Sequence, residues 1–500
     1  MSLDKRQYIQ TILPLKLEWE PWYYTTANVF PGSRVRVNLA GREYVAVVSR
    51  VADRPEMDPA QVHPINGIAE GLEPITEAEL RLWRFISEYY LCTIGEVYKT
   101  AYPAGKQQVE ARKRKSAAPA AESGAAVNGE FSFESGKPLL AVGADRHSLM
   151  RQLISKTLKQ GKDVLLLRPD APLHSYAELR NLSQAVRRPD SPAQLIEGRR
   201  QILFLPYCKL GLIVVEQEQD SAYKQESPAP RFNARDVAVM LGSIHGAQVI
   251  LGSPCPSLES LYNARSGKFT MKGSGYAQGL DAATIIDTTA ERRKRGMNGG
   301  YSIKLIDAIS NSLAHREHVL VLLPWADTSD AEIEARALFP EARTRLRFSP
   351  VNKASNLSKY GLVAILNGDY LFSRQDFRSD ERALQALSAV ASECTCPLVI
   401  QGADLPARLE GLTADRLLEE RRRFGYPPFT RLVEIKVSDK NEARRAKMSA
   451  LLAREFGSLQ IFLPKDASLA AAKADIARRL AAFERQYKYS GHIYADVDPL

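Results

Sequence analysis

LGLIVVEQEQ, residues 210–219, decides how the fold is read. Leu212 to Val215 form an unbroken apolar run that stops abruptly at Glu216-Gln217-Glu218-Gln219. A run without polar alternation belongs to a strand covered on both faces, the pattern of a parallel sheet between helices. Runs of the same kind recur on either side: KPLLAVG (137–143), DVLLLRP (163–169) and AQVILGS (247–253), then HVLVLLP (318–324), GLVAILN (361–367) and PLVIQG (397–402). Helical stretches such as HSLMRQLISKTLKQG (147–161) lie between them. Strands alternating with helices predict parallel α/β sheets joined by right-handed crossovers. Two clusters, 137–270 and 271–410, give two α/β lobes.

Outward from the lobes the pattern changes. YIQTILPLKL (8–17), SRVRVNL (33–39) and EYVAVVSRV (43–51) alternate with a period of two, and Pro31-Gly32 supplies a turn. They predict a small antiparallel β domain. Residues 76–92 place Leu80, Leu82, Phe85, Ile86 and Tyr89 on one helical face, with Thr76 and Glu79 spaced as a capping box. The segment 106–130 is rich in Ala, Ser, Gly and charge and reads as a flexible basic linker. After residue 411, RLVEIKVSD, a helix over 441–456, QIFLP, another helix and HIYADVDPL predict a strand–helix–strand–helix–strand unit. The expected division is therefore 1–105, linker 106–136, 137–270, 271–410 and 411–500, in a multidomain α/β chain with an α+β C-terminal domain.

Composition narrows the classes. Hydrophobic residues at 45% and charged residues at 25% are globular values. No apolar run reaches the roughly 18 residues of a membrane span, and no secretory signal is read at the start. Five scattered cysteines suit a reducing cytoplasm, and Cys394 and Cys396, one residue apart, do not make a four-thiolate zinc site. The net charge of +10 (68 basic residues against 58 acidic) favours a polyanionic partner through counterion release.

Four separated blocks carry a family likeness. They are ILPLKL, GSRVRV and ISEYYLCTIGEVYKTAYPAG near the N-terminus, then residues 210–240 and 249–269, then ERRRFGYPPFTRLVEIKV, and finally YADVDPL. In this order they resemble the PriA (primosomal protein N′) family of replication restart proteins. The resemblance implies a 3′-end-binding domain closed by a helix, two RecA-like lobes of a superfamily 2 helicase and a C-terminal domain. It also implies DNA forks and single-strand/double-strand junctions as ligands, primosome proteins and single-stranded DNA-binding protein as partners, and a cytoplasmic, nucleoid-associated setting without membrane contact.

Against that pattern the nucleotide motifs are degenerate. A phosphate-binding loop needs glycines, a lysine and a hydroxyl; after Leu139–Val142 this chain has Gly143-Ala144-Asp145-Arg146-His147-Ser148. The family's DEEH is Glu216-Gln217-Glu218-Gln219, its GSATPS is Gly252-Ser253-Pro254-Cys255-Pro256-Ser257, and its VAGRAGR is Val390-Ala391-Ser392-Glu393-Cys394-Thr395-Cys396. Losing one arginine finger costs about three to five orders of magnitude in related hydrolases. The expectation is no catalytic residue, no cofactor and no metal. The cysteine-rich zinc insertion is replaced by WADTSDAEIEARALFPEARTRL, and the winged-helix module by the linker.

Candidate DNA contacts are what the chain retains. Trp22 and Tyr23, with Trp19 and Tyr24, either stack on a terminal base or cover the β domain's core. Arg34 and Arg36 alternate with Val35 and Val37, so both face one side of a sheet. Lys106, Arg112, Lys113, Arg114 and Lys115 lie in the linker, and Arg421, Arg422 and Arg423 precede FGYPPF. These assignments fit a scaffold that binds branched DNA and helps reload the replicative helicase. The alternatives are an active ATP-dependent 3′–5′ helicase and a protein-interaction scaffold without DNA binding.

Overall fold

The structure is a computed structural model describing residues 6–103, 136–143, 145–273, 279–342, 344–354, 356–487, 489 and 491–500. Its frame is two all-parallel sheets. In the first lobe the strands run, edge to edge, Thr270–Lys272, Leu139–Val142, Gln248–Ser253, Leu210–Glu216, Asp163–Leu167 and Leu195–Gly198. In the second they run Thr284–Asp287, Leu398–Gly402, Leu362–Ile365, Val319–Leu323 and Leu346–Pro350. Ile213, Val214 and Val215 are fully buried because helices cover both faces, which is why their sequence shows no alternation. The two sheets are the two parallel α/β lobes that the apolar runs predict.

Among the described residues the N-terminal sheet has six strands and includes Gln7–Ile12, Trp22–Thr25, Arg34–Leu39 and Arg42–Ala52. One face closes over Ile9, Tyr23, Val35, Val37, Ala46 and Val48. On the other, Ile12 and Val47 pack with Leu80, Trp83 and Ile86 of the helix Glu77–Tyr90. Thr76 and Glu79 form the expected capping box at that helix's start. A second capping box, Thr93 with Glu96, opens the following helix Ile94–Ala101.

The C-terminal sheet is antiparallel, with Thr430–Ser438 between Gln460–Pro464 and His492–Val497. Its last strand is tied to the first lobe by a buried ion pair, Lys224 to Asp496 at 2.8 Å. Lys224 also donates to the carbonyls of Val497 (2.6 Å) and Arg231 (2.8 Å), so the ammonium has two hydrogen bonds beside its counter-ion. A buried charge with a counter-ion and hydrogen bonds is tolerated where an unpaired one would not be. Among the described residues, no helix is long and apolar enough to cross a membrane.

Candidate nucleic-acid face and the cleft of the first lobe

The strand Leu139–Val142 ends at Gly143, whose φ of +102° lets the chain turn into the helix Arg146–Lys159. Arg146 opens that helix but is buried, and its guanidinium folds back into the turn. Nη1 donates to the Gly143 carbonyl at 3.0 Å and Nε to Glu216 Oε1 at 3.2 Å. Glu216 ends the strand Leu210–Glu216, which is separated from Leu139–Val142 by Gln248–Ser253, and the two charges meet across it at the carboxyl edge of the sheet. That edge is where open α/β sheets take ligands. Here its cation and its first acid neutralise each other. His147 Nδ1 lies 3.8 Å from the same carboxylate, and burial, opposed by Glu216 but reinforced by Arg146 and Arg151, lowers the imidazole's pKa.

The rest of the acid–amide segment is committed to structure. Glu218 is buried and accepts from Arg235 Nη1 (3.1 Å), the Ser257 amide (2.6 Å), the Ser257 hydroxyl (3.0 Å) and the Ser260 hydroxyl (2.9 Å). Four donors, three on Oε2 and one on Oε1, hold the carboxylate and fix the start of the helix Leu258–Arg265. Gln219 Oε1 accepts from the Ser253 hydroxyl at 2.6 Å. Gln217, in the left-handed region at φ +52°, reaches across to the second lobe, donating from Nε2 to Glu393 Oε1 at 3.0 Å. An acid thus faces the first lobe at the place where the resemblance implies an arginine.

The N-terminal sheet contrasts with this closed edge. Cross-strand register sets Trp22 opposite Gln10 and Tyr24 opposite Tyr8, and on the other side Gln10 opposite Arg50. Alternation puts Tyr8, Gln10, Trp22, Tyr24 and Arg50 on the face that the two helices cover only in part. Tyr8 and Tyr24 meet edge to face at 6.5 Å. Arg6 lies 4.8 Å above the Tyr24 ring and Arg50 lies 6.0 Å from the Trp22 ring. Arg6, Arg36 and Arg50 are exposed, and Trp22 and Tyr24 are half-buried. Exposed cations beside partly open rings suit phosphates and bases together.

Two expected contacts leave this set. Tyr23 points to the opposite face, is 3% exposed and donates its hydroxyl to the Asn38 carbonyl at 3.0 Å, because its neighbours Trp22 and Tyr24 take the outer positions. Arg421 is 3% exposed. It pairs with Glu381, donates to the carbonyls of Pro427 (2.9 Å) and Phe377 (3.2 Å), and stacks 4.9 Å from the Phe377 ring. Glu381 in turn accepts from the Leu258 amide at 2.8 Å, so this pair joins the helix Ser379–Glu393 to the first lobe and has no side left for a phosphate.

The other candidates divide by exposure. Arg34 shares its sheet face with Arg36, as the alternation requires, but Tyr102 stacks on it at 4.1 Å and buries it. Arg422 is exposed, resting 5.0 Å from the Phe429 ring and pairing with Glu419 at 3.2 Å, and Arg423 lies beside the exposed Phe424. Lys106, Arg112, Lys113, Arg114 and Lys115 lie outside the described residues. Tyr8, Arg6 and Arg50 were not singled out from the sequence; cross-strand register is the signal that finds them. Cys394 and Cys396 are free thiols with sulfurs 3.5 Å apart. Among the described residues no group of three or more His, Cys, Asp or Glu is placed to hold a metal.

Residues 12–103 match the family model of the PriA 3′ DNA-binding domain (3′BD). The chain is 28% identical over 292 residues to the replication restart protein PriA of Rickettsia felis, covering 50% of this chain and 43% of that protein. It is 33% identical over 202 residues to PriA of Chlamydia pneumoniae, covering 36% and 27%. With PriA of Bacillus subtilis it is 26% identical over 210 residues, covering 36% and 25%. The chain thus spans less than half the length of these relatives. Among solved structures, RecG bound to a three-way DNA junction aligns at TM-score 0.29 and 12% identity, over 57% of this chain and 40% of RecG. A DEAD box protein from Methanococcus jannaschii aligns at 0.29 and 11%, over 58% and 87%.

Proposed function

From its membership of the PriA family of replication restart proteins, we propose that this chain binds branched DNA as an assembly platform and does so without hydrolysing ATP. The observation that carries the reading is the Arg146–Glu216 pair. The buried cation at the turn after Leu139–Val142 is spent on the acid that would hold Mg²⁺. Nucleotide phosphates would have to displace a carboxylate already paired inside the fold, with no lysine and one glycine in the turn to compensate. Glu393 adds a second negative group facing that edge, where a hydrolase needs positive charge.

DNA would be met instead by the outer face of the N-terminal sheet. Trp22 and Tyr24 offer rings to a terminal base, while Arg36 and Arg50 meet the backbone. Arg422 and Arg423 extend the basic surface elsewhere. Primosome proteins and the single-stranded DNA-binding protein are the partners implied by the family, with the chain placing them at a fork while another protein supplies the motor.

The test is fluorescence anisotropy with forked DNA carrying or lacking a leading-strand 3′ end, over a salt series. Binding that falls steeply with salt and favours the 3′ end supports the reading. Absence of binding at low salt would favour a platform for proteins alone.

A further inference from the structure

Cys394 and Cys396 occupy the connection between the helix Ser379–Glu393 and the strand Leu398–Gly402. That helix ends without a left-handed cap: Cys394 turns straight into extended backbone at φ −82° and ψ 117°. At the far end the Pro397 carbonyl accepts from the Val363 amide at 3.1 Å, which ties the connection to the sheet. Pro397 also restricts the residue before it, Cys396, to extended backbone. Helix and sheet therefore fix both ends of the path 394–397, and the two thiols have little freedom to part.

The path brings the sulfurs together. The Sγ atoms of Cys394 and Cys396 lie 3.5 Å apart, and the Cys394 thiol also donates to the Cys396 carbonyl at 3.3 Å. A bond between the sulfurs needs an approach of about 1.5 Å. Both side chains are half-buried against the core that holds Val363, Val390 and Leu398. Glu393, Thr395 and Pro397 beside them are exposed, so a small reagent can reach sulfurs that the fold holds in place. Burial and the hydrogen bond with Cys394 push the Cys396 thiol up to about 12. Cys396 is then the poorer attacking group, and the first attack falls to Cys394.

We propose that Cys394 and Cys396 are a redox-active dithiol, a modification site that low-molecular-weight disulfides convert reversibly into an intramolecular bond. The Cys394 thiolate attacks one sulfur of the disulfide RSSR, forming a mixed disulfide and releasing RS⁻. Cys396 then loses its proton and attacks Sγ of Cys394, expelling the second RS⁻. The protein gives up two electrons and two protons, and RSSR leaves as two molecules of RSH. Excess RSH runs the exchange backwards, in keeping with the transient disulfides of reducing compartments. The bond closes one residue beyond Glu393, whose carboxylate accepts from Gln217 of the first lobe at 3.0 Å. The pair uses none of the residues proposed to meet DNA and stands apart from that reading.

The test incubates the full chain in glutathione buffers of rising oxidised fraction, quenches with acid, alkylates the unfolded chain and maps its peptides by mass spectrometry. The peptide holding residues 394–396 should lose two hydrogens and escape alkylation as the oxidised fraction rises. Dithiothreitol should return both thiols. Cys396→Ser should stop at one glutathione on Cys394. Cys394→Ser should take up glutathione at Cys396 at least about tenfold more slowly than that. Wild type decides the matter even where a serine variant fails to fold. Two alkylated thiols in fully oxidised glutathione, or a glutathione adduct that persists on wild type without closing, overturns the proposal. So does a disulfide from either cysteine to a third one. Equal rates in the two serine variants overturn the order of attack.

Discussion

The edge of the first lobe and the outer face of the N-terminal sheet are built from similar materials and do opposite things with them. At the lobe edge, Arg146 is buried against Glu216, and Glu218 is filled by four donors. On the N-terminal face, Arg6 and Arg36 stay exposed, and Arg50 meets the exposed Glu56 in an ion pair. A pair in solvent is worth little and opens easily, about 0–1 kcal/mol. A buried pair costs several kcal/mol to break. Charge that can be lent to a polyanion must be cheap to release. By that measure the N-terminal face is available for a ligand and the lobe edge is closed by its own side chains.

The largest expected effect tests the closed side of this comparison. R421A leaves Glu381 buried without its cation, so thermal or denaturant unfolding should show a loss of about 3–5 kcal/mol. R422A, whose pair with Glu419 is exposed, should change stability by under about 1 kcal/mol. Equal melting curves for the two variants would break the distinction. On the open side, W22A/Y24A should weaken binding to a fork with a 3′ end by about 1–3 kcal/mol per stacked base while the fold melts unchanged. Y23A should instead destabilise the β domain, since that ring lies in its core. The smallest effect belongs to a single phosphate contact. R36A should reduce the salt slope of fork binding by about one unit without changing preference among DNA structures, measured by anisotropy at several salt concentrations.

Much of the fold is legible in the sequence because burial on both faces leaves a plain mark. Leu212–Val215, Val319–Leu323 and Leu362–Ile365 read as strands without help. Edge strands such as Leu195–Gly198 and Thr270–Lys272 do not, since they are short and mix polar with apolar residues. The site is less legible for a different reason. Arg421 looks like surface charge among arginines, and only Glu381, 40 residues earlier, makes it interior. Arg146 finds Glu216 across 70 residues. Trp22 and Tyr23 are equivalent in the sequence until strand register sends one outward and the other in. Local pattern gives faces; which charge meets which is decided by contacts between distant segments.

We propose that Arg146 and Glu216 keep the nucleotide edge shut while DNA binds elsewhere. The most direct measurement is phosphate release from MgATP by the full chain, with saturating forked DNA whose binding is confirmed in the same sample. Release should be no faster than in the DNA-only control. DNA-stimulated release that E216Q abolishes would contradict it.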